Sequence, residues 1–313
     1  MPRLFIDNVV DFDIQEWRQL RDSAINGLTY DTLIKSLNAV RSQTGIDSTV
    51  NISHKLFLLR RRDLNETGNR NSLEVVKIIT PNVENKLLKK VIEMEKSQLV
   101  NLYSMTCVAP FTRRVAGVFY EGYCFKQIVD HGIHLNLLKM VRLSPSPGKK
   151  RRLDYDASTA EKTPRFHSSH LWMENSELEE ERQKVLNQEE AVVIDAKDLR
   201  VQYYHKSDGN RQLEENTLYI PEAANEKCLD AFFMHNGYLY ILQFTIAEEH
   251  SIKSLDGCFS RYTGCPLSDN WKFVFIIAGD HILKVPNKNY AFPLYSAIMK
   301  PKNRVLSPPP SSN

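Results

Sequence analysis

Several chemistries are missing from this 313-residue chain. Its five cysteines, Cys107, Cys124, Cys228, Cys258 and Cys265, are odd in number and scattered. No CxxC or Cys/His zinc spacing links them, so neither a disulfide framework nor a zinc module is expected, and a reducing compartment fits best. No apolar run reaches the roughly 18 residues that a membrane helix needs, so no membrane partner is expected. The N-terminus, MPRLFIDNVVDFDIQEW, carries acids where a signal peptide would be apolar. A nuclear or cytoplasmic protein without conventional secretion is the expectation. There is no GxxxxGKS/T, because Gly148-Lys149 lacks the upstream glycine, and a complete P-loop ATPase is excluded. The GxSxG elbow and the HExxH zinc motif are absent as well. The nine histidines are dispersed, and His131 and His134 straddle Gly132, a poor arrangement for a shared ion. A net charge of +3 is too small to point by itself to a polyanionic partner.

What is present is a core-forming composition. Hydrophobic residues make up 42% of the chain, with 14 Phe and 13 Tyr among them, enough to bury one large or two modest domains. Charge is locally uneven. Lys139–Arg165 holds eight Lys/Arg against three acids, and Glu174–Glu190 holds seven acids against two bases. Ser144–Arg152, SPSPGKKRR, joins two Ser-Pro dipeptides to a basic tetrad, which suits an import signal, a phosphate contact or a solvated charge run. Residues 143–190 therefore read as a charged, partly disordered insertion with a helix around Ser176–Asn187, and residues 301–313 as a disordered tail.

The strongest local pattern is Cys228–Ala247, CLDAFFMHNGYLYILQFTIA, a β-hairpin turning at Asn236-Gly237. A two-residue loop pairs His235 with Tyr238, Met234 with Leu239, Phe232 with Ile241 and Asp230 with Gln243. Thr245 follows on the same face. The other face carries Ala231, Phe233, Tyr240, Leu242, Phe244 and Ile246. A sheet apolar on both faces is covered on both. An aspartate there is costly unless something needs its charge.

The rest of the chain alternates. A strand is expected at Leu4–Ile6, helices around Trp17–Ile25 and Thr32–Val40, and strands at Lys55–Arg62 and Ser72–Thr80. Val83 to Tyr103 reads as one helix, and Phe111–His131 as a second, ended by Gly132. Val115, Val118, Phe125, Ile128 and Val129 form one stripe of that second helix. Glu121 falls inside it, either as a snorkelling or salt-bridged residue at the stripe's edge or as a ligand. Strands are expected at Ala191–Ile194, Val201–Tyr204 and Leu218–Pro221, then a helix at His250–Arg261 with Ile252, Leu255 and Phe259 inward. Asn270–Ala278, NWKFVFIIA, should be central in the sheet, and Tyr290–Met299 should close it as strand or helix.

Glu121, Asp230 and Gln243 are the oxygen-bearing set that these patterns leave for chemistry. Such donors suit Mg²⁺ or Mn²⁺, not zinc. An ion of this kind can activate water against a phosphodiester.

The order helix-Glu, Asp, hairpin, Gln-x-Thr resembles the PD-(D/E)XK nuclease superfamily. More narrowly, AGVFYEGYCFKQIVDHG, LDAFFMHNGYLYILQFTIAEEHSIK and NWKFVFIIAG resemble blocks of the nuclease domain of Crinkler and retrotransposon-hotspot-type proteins of fungi. KLFLLRRR and VVKIITPNVENKLL resemble the stretch before it. The resemblance implies an α/β fold with a mixed central sheet flanked by helices, a restriction-endonuclease-like core. It divides the chain into an N-terminal segment (1–80, the remnant of an upstream ATPase module), a helical first part of the nuclease-like domain (81–142), the insertion (143–190), a sheet-bearing second part (191–300) and the tail. It implies that Glu121, Asp230 and Gln243 bind Mg²⁺ or Mn²⁺, that DNA is the substrate, and a link to mobile elements or effectors. Superfamily members usually carry a lysine where this chain has Thr245. Lys253, one turn into the expected next helix, is the candidate replacement, against the reading of a surface lysine. Three functions follow: a metal-dependent nuclease, a degenerate nuclease fold that binds nucleic acid or protein without cutting, and an interaction protein working through residues 143–190.

Overall fold

The computed structural model describes residues 14–42, 56–61, 74–108, 112–143, 165–167, 192–205, 208–222, 228–255, 257–279, 282–286 and 288–301. The strand expected at Leu4–Ile6, the basic tetrad, the helix around Ser176–Asn187 and all of the tail after Pro301 lie outside the described residues. The chain forms two compact units, Met1–Gly122 and Tyr123–Asn313. The division falls within one helix, Arg113–His131.

In the first unit, α1 (Ile14–Asn26) and α2 (Tyr30–Ser42) are followed by the antiparallel pair β1 (Phe57–Arg61) and β2 (Glu74–Ile78). Thr29 and Thr32 start α2 by reciprocal capping: the Thr32 N–H donates to Thr29 Oγ1 at 3.3 Å, and the Thr29 N–H to Thr32 Oγ1 at 2.9 Å. The single helix expected from Val83 to Tyr103 is two, α3 (Pro81–Ile92) and α4 (Lys96–Cys107). Thr80 caps α3, with Pro81 in its first turn. The break has a cause visible in the stripe, which jumps from Val91 to Leu99. Eight residues at 100° each leave the second half about 80° out of phase. Gln98 restarts the helix by accepting the Glu95 N–H at 3.1 Å. Ile25, Leu33, Leu37, Val83, Leu87, Val91, Leu99 and Leu102 are buried.

α5 (Arg113–His131) buries Val115, Val118, Phe125 and Ile128, as the stripe predicts, whereas Val129 is exposed. After it, in the second unit, come β3 (Ile133–Lys139), β4 (Val141–Leu143), β5 (Arg165–His167), β6 (Val192–Ala196), β7 (Arg200–Tyr204), β8 (Arg211–Gln212) and β9 (Thr217–Pro221). Then follow β10 (Ala231–His235), β11 (Tyr238–Thr245), β12 (Tyr262–Thr263), β13 (Trp271–Ile277), β14 (Lys284–Pro286) and β15 (Leu294–Ile298). Eight of these build one mixed sheet in the order β6-β3-β15-β13-β11-β10-β9-β7. β11, β13 and β15 run parallel at its centre, while β10 and β3 oppose their neighbours. The expected α/β class with a mixed sheet is present, and Trp271–Ile277 is central as predicted.

Six strands were not anticipated: β3, β4, β5, β8, β12 and β14. β3 lies within residues read as helical, although its burial alternates along IHLNLLK as a half-covered strand's does. β5 lies inside the expected insertion and pairs with β4 and β14.

Both faces of the central hairpin are covered. On the face of Phe244, α5 packs Phe125 edge-on at 4.9 Å between centroids. Phe233 and Tyr240 stack on that face at 5.0 Å. The opposite face is an aromatic core in which Phe232 stacks on Tyr219 (4.9 Å) and meets Phe259, Tyr204 and Tyr262 edge-on. The cover there is not the helix expected at His250–Arg261. It is an extended segment with tight turns that still buries Ile252, Leu255 and Phe259. Two features explain the difference. Gly257 sits at φ 79°, outside any right-handed helix, and the His250 N–H is taken by Lys284 O at 3.0 Å.

Candidate functional site

The hairpin forms in the predicted register: His235 opposes Tyr238 and Ala231 opposes Leu242. Its turn holds Asn236 and Gly237 at φ 52° and 76°, the two positive values that a type I′ turn needs. β10 ends at Ala231, which opposes Leu242, and the Asp230 N–H also donates to Leu242 O at 2.9 Å, so the backbone register stops there and does not pair Asp230 with Gln243. Beyond that point β11 continues without an antiparallel neighbour among the described residues.

Asp230 fills this gap. The N–H groups of an antiparallel strand point alternately to its two neighbours, and that of Phe244 points to the side where β10 has ended. It donates to Asp230 Oδ2 at 2.6 Å. Gln243 Nε2 donates to the same oxygen, also at 2.6 Å. Asp230 is half-buried, and Gln243 and Thr245 are 8% and 7% exposed. The carboxylate is therefore oriented by two donors before any ligand arrives, and one of its tasks is to satisfy a backbone N–H. Gln243 presents its amide nitrogen to Asp230 in this arrangement. A ligand role for Gln243 needs its carbonyl oxygen directed at the ion.

Thr245, at the position where the resemblance leads one to expect a lysine, accepts the Ala247 N–H at 3.1 Å and so helps to end β11. Lys253 does not replace that lysine from a helix. It is exposed on the extended segment, forms no hydrogen bond or ion pair with Asp230 or Gln243 among the described residues, and lines a separate cleft. Glu121 is half-buried on α5, at the penultimate position of the first unit.

His250 was not singled out by the sequence patterns. Its ring lies edge-on to Phe275 at 5.6 Å, and Phe275 is the residue opposite Gln243 across the parallel β11–β13 ladder. Its buried Nδ1 has no hydrogen-bond partner among the described residues. Burial pushes the imidazole below its ordinary pKa, and the charge of Lys253 adds to this, so it is neutral at pH 7. The available signal was its position five residues after Thr245, hidden by the helical spacing of Ile252, Leu255 and Phe259.

Among the described residues, no three His, Cys, Asp or Glu side chains gather as metal ligands. The donor set is thus one carboxylate with an adjacent carboxamide. No helix among them is long and apolar enough to cross a membrane.

No family model, curated protein or solved structure matches the chain. The site is described by its own geometry.

Proposed function

We propose that the open end of the β10–β11 hairpin is a divalent-cation site and that the protein is a nuclease-like enzyme acting through it on DNA phosphodiesters. The observation that carries this reading is the Asp230–Gln243 pair, joined side chain to side chain at 2.6 Å at the carboxyl end of a central parallel strand. Open α/β sheets collect their ligands at such ends. The hard oxygen donors fit Mg²⁺ or Mn²⁺. Mg²⁺ sites commonly use one or two carboxylates and complete their shell with water and substrate phosphate. When bound, such an ion supplies an acidified water and positive charge for the developing oxyanion.

The chain's own residues do the positioning. Asp230 offers its carboxylate, and the Phe244 N–H and Gln243 amide keep that group from rotating. The test is plasmid nicking in Mg²⁺ or Mn²⁺ by the full chain and by Asp230→Asn, which retains an acceptor for the Phe244 N–H. Nicking that needs the cation and disappears in the variant is expected. Divalent-independent nicking, or an unimpaired variant, contradicts the reading.

A specific observation favours a second reading, a nuclease-like fold that binds nucleic acid without cutting. Thr245 brings no positive charge to the position where the superfamily places it, and its hydroxyl is engaged by Ala247. Salt-sensitive DNA binding with no nicking in any divalent cation is the result that selects it.

A further inference from the structure

We infer that the cleft at the amino ends of β13 and β15 binds single-stranded nucleic acid, stacking bases on Trp271, Tyr290 and Phe292 with phosphates at Lys253 and Lys288. The inference deepens the nucleic-acid part of the proposed function and rests on it. It needs no metal at Asp230.

The cleft has a volume of about 560 Å³, within the range of small-ligand sites. Its floor is a row of rings. Phe259 meets Trp271 edge-on at 5.0 Å, Trp271 lies 6.1 Å from Phe292 at 31°, and Tyr290 lies 6.0 Å from Phe292 at 32°. Trp271, Tyr290 and Phe292 are each half-buried, so each keeps ring surface for a ligand. Their polar tips are tied down away from that task. The Trp271 indole N–H donates to Pro266 O at 2.8 Å, and the Tyr290 hydroxyl donates to Pro286 O at 3.0 Å. What the rings offer is therefore flat apolar surface in a fixed orientation, which favours a planar partner.

The rim supplies the opposite chemistry. Lys253 and Lys288 are exposed, and neither forms an ion pair among the described residues. Among the described residues, no Asp or Glu lines the cleft. Stacking rings beside exposed lysines are the combination that binds single strands with little sequence preference, because every base has a π-face and every nucleotide a phosphate. A duplex keeps its bases stacked on each other and has only phosphates to give.

The test uses the full chain in EDTA, so that the cation site plays no part. Labelled dT12 and a 12-base-pair duplex are titrated by fluorescence anisotropy over a range of salt, and Trp emission is followed in parallel. The expected result is tighter binding of dT12 than of the duplex and quenching of Trp emission. Trp271→Phe should remove the quenching. Lys253→Ala/Lys288→Ala, both surface changes, should weaken dT12 binding on the order of ten-fold and lower the salt slope by roughly 1.4. An abasic 12-mer should bind more weakly than dT12. If dT12 binds with the double variant and the abasic strand both unaffected, the cleft inference is overturned while the nucleic-acid reading stands. If neither DNA binds at low salt, both fall.

Discussion

The two ends of the central parallel strands differ in how their polar groups are used. At the carboxyl end, Asp230 accepts from the Gln243 amide and the Phe244 N–H, and Thr245 accepts the Ala247 N–H. At the amino end, Lys253 and Lys288 stand at the rim of an aromatic cleft without ion-pair partners among the described residues, and the polar tips of Trp271 and Tyr290 are fixed elsewhere. One end is rigid and small, suited to holding an ion. The other is open and broad, suited to holding a chain of rings and phosphates. Burial explains the contrast. A charge near a buried strand must be satisfied locally, whereas a lysine in water needs nothing until a ligand comes.

The largest test of this comparison is the aromatic core beneath both ends. Phe232→Ala should cost roughly 3–5 kcal/mol in urea unfolding, because Tyr219, Phe259, Tyr204 and Tyr262 all lose a partner ring. A cost under about 1 kcal/mol would mean that the ends do not share a packed base.

Next comes the cover that runs from one end to the other. Cys228, two residues before Asp230, has its Sγ 2.8 Å from that of Cys258 on the extended segment. Oxidation by diamide, which takes two electrons and two protons from the thiol pair, should cross-link them. Closing a loop of about 30 residues should then stabilise the chain by roughly 2–4 kcal/mol. Peptide mapping by mass spectrometry reads the link, and its failure to form would show that the cover does not hold this position in solution.

At the carboxyl end itself, Asp230→Ala should cost about 1–3 kcal/mol, since the Phe244 N–H and Gln243 lose their acceptor, and Asp230→Asn clearly less. Equal costs would mean that the charge, and not the hydrogen-bonding pattern, carries the structural role.

The smallest effect is that of pH. Burial lowers the His250 pKa, so the folded state disfavours the protonated ring. Its contribution is whole above the unfolded value near 6.5 and is lost as pH falls below it, at up to about 1.4 kcal/mol per pH unit. Urea midpoints at pH 7.5 and 5.5 should therefore fall further for the native chain than for His250→Leu. An identical fall would place the imidazole in water.

The hairpin was legible in the sequence because its determinants are local: Asn236-Gly237 fixes the turn, and the turn fixes the pairing from His235–Tyr238 to Ala231–Leu242, beyond which Asp230 and Gln243 meet through their side chains. Residues 271–277 were legible because a strand buried on both faces is written as an unbroken apolar run. The cover at 250–261 was not, since inward residues at 252, 255 and 259 have helical spacing whether or not a helix joins them. β3 was hidden by following directly on α5. The cleft could not be read at all, because Lys253, Trp271 and Lys288 are brought together by tertiary structure and none of them carries a motif. Asp230 was read for chemistry alone, and its backbone partner, the Phe244 N–H, becomes visible only where β10 stops short of β11.

The most direct measurement is Mn²⁺ binding, followed by electron paramagnetic resonance, for the full chain and for Asp230→Asn. A saturable site in the native chain that weakens at least about ten-fold in the variant, with unfolding midpoints little changed, is the expected result. Equal Mn²⁺ affinity in the two proteins would contradict it, leaving the Asp230–Gln243 pair as a strand-end hydrogen bond and nothing more.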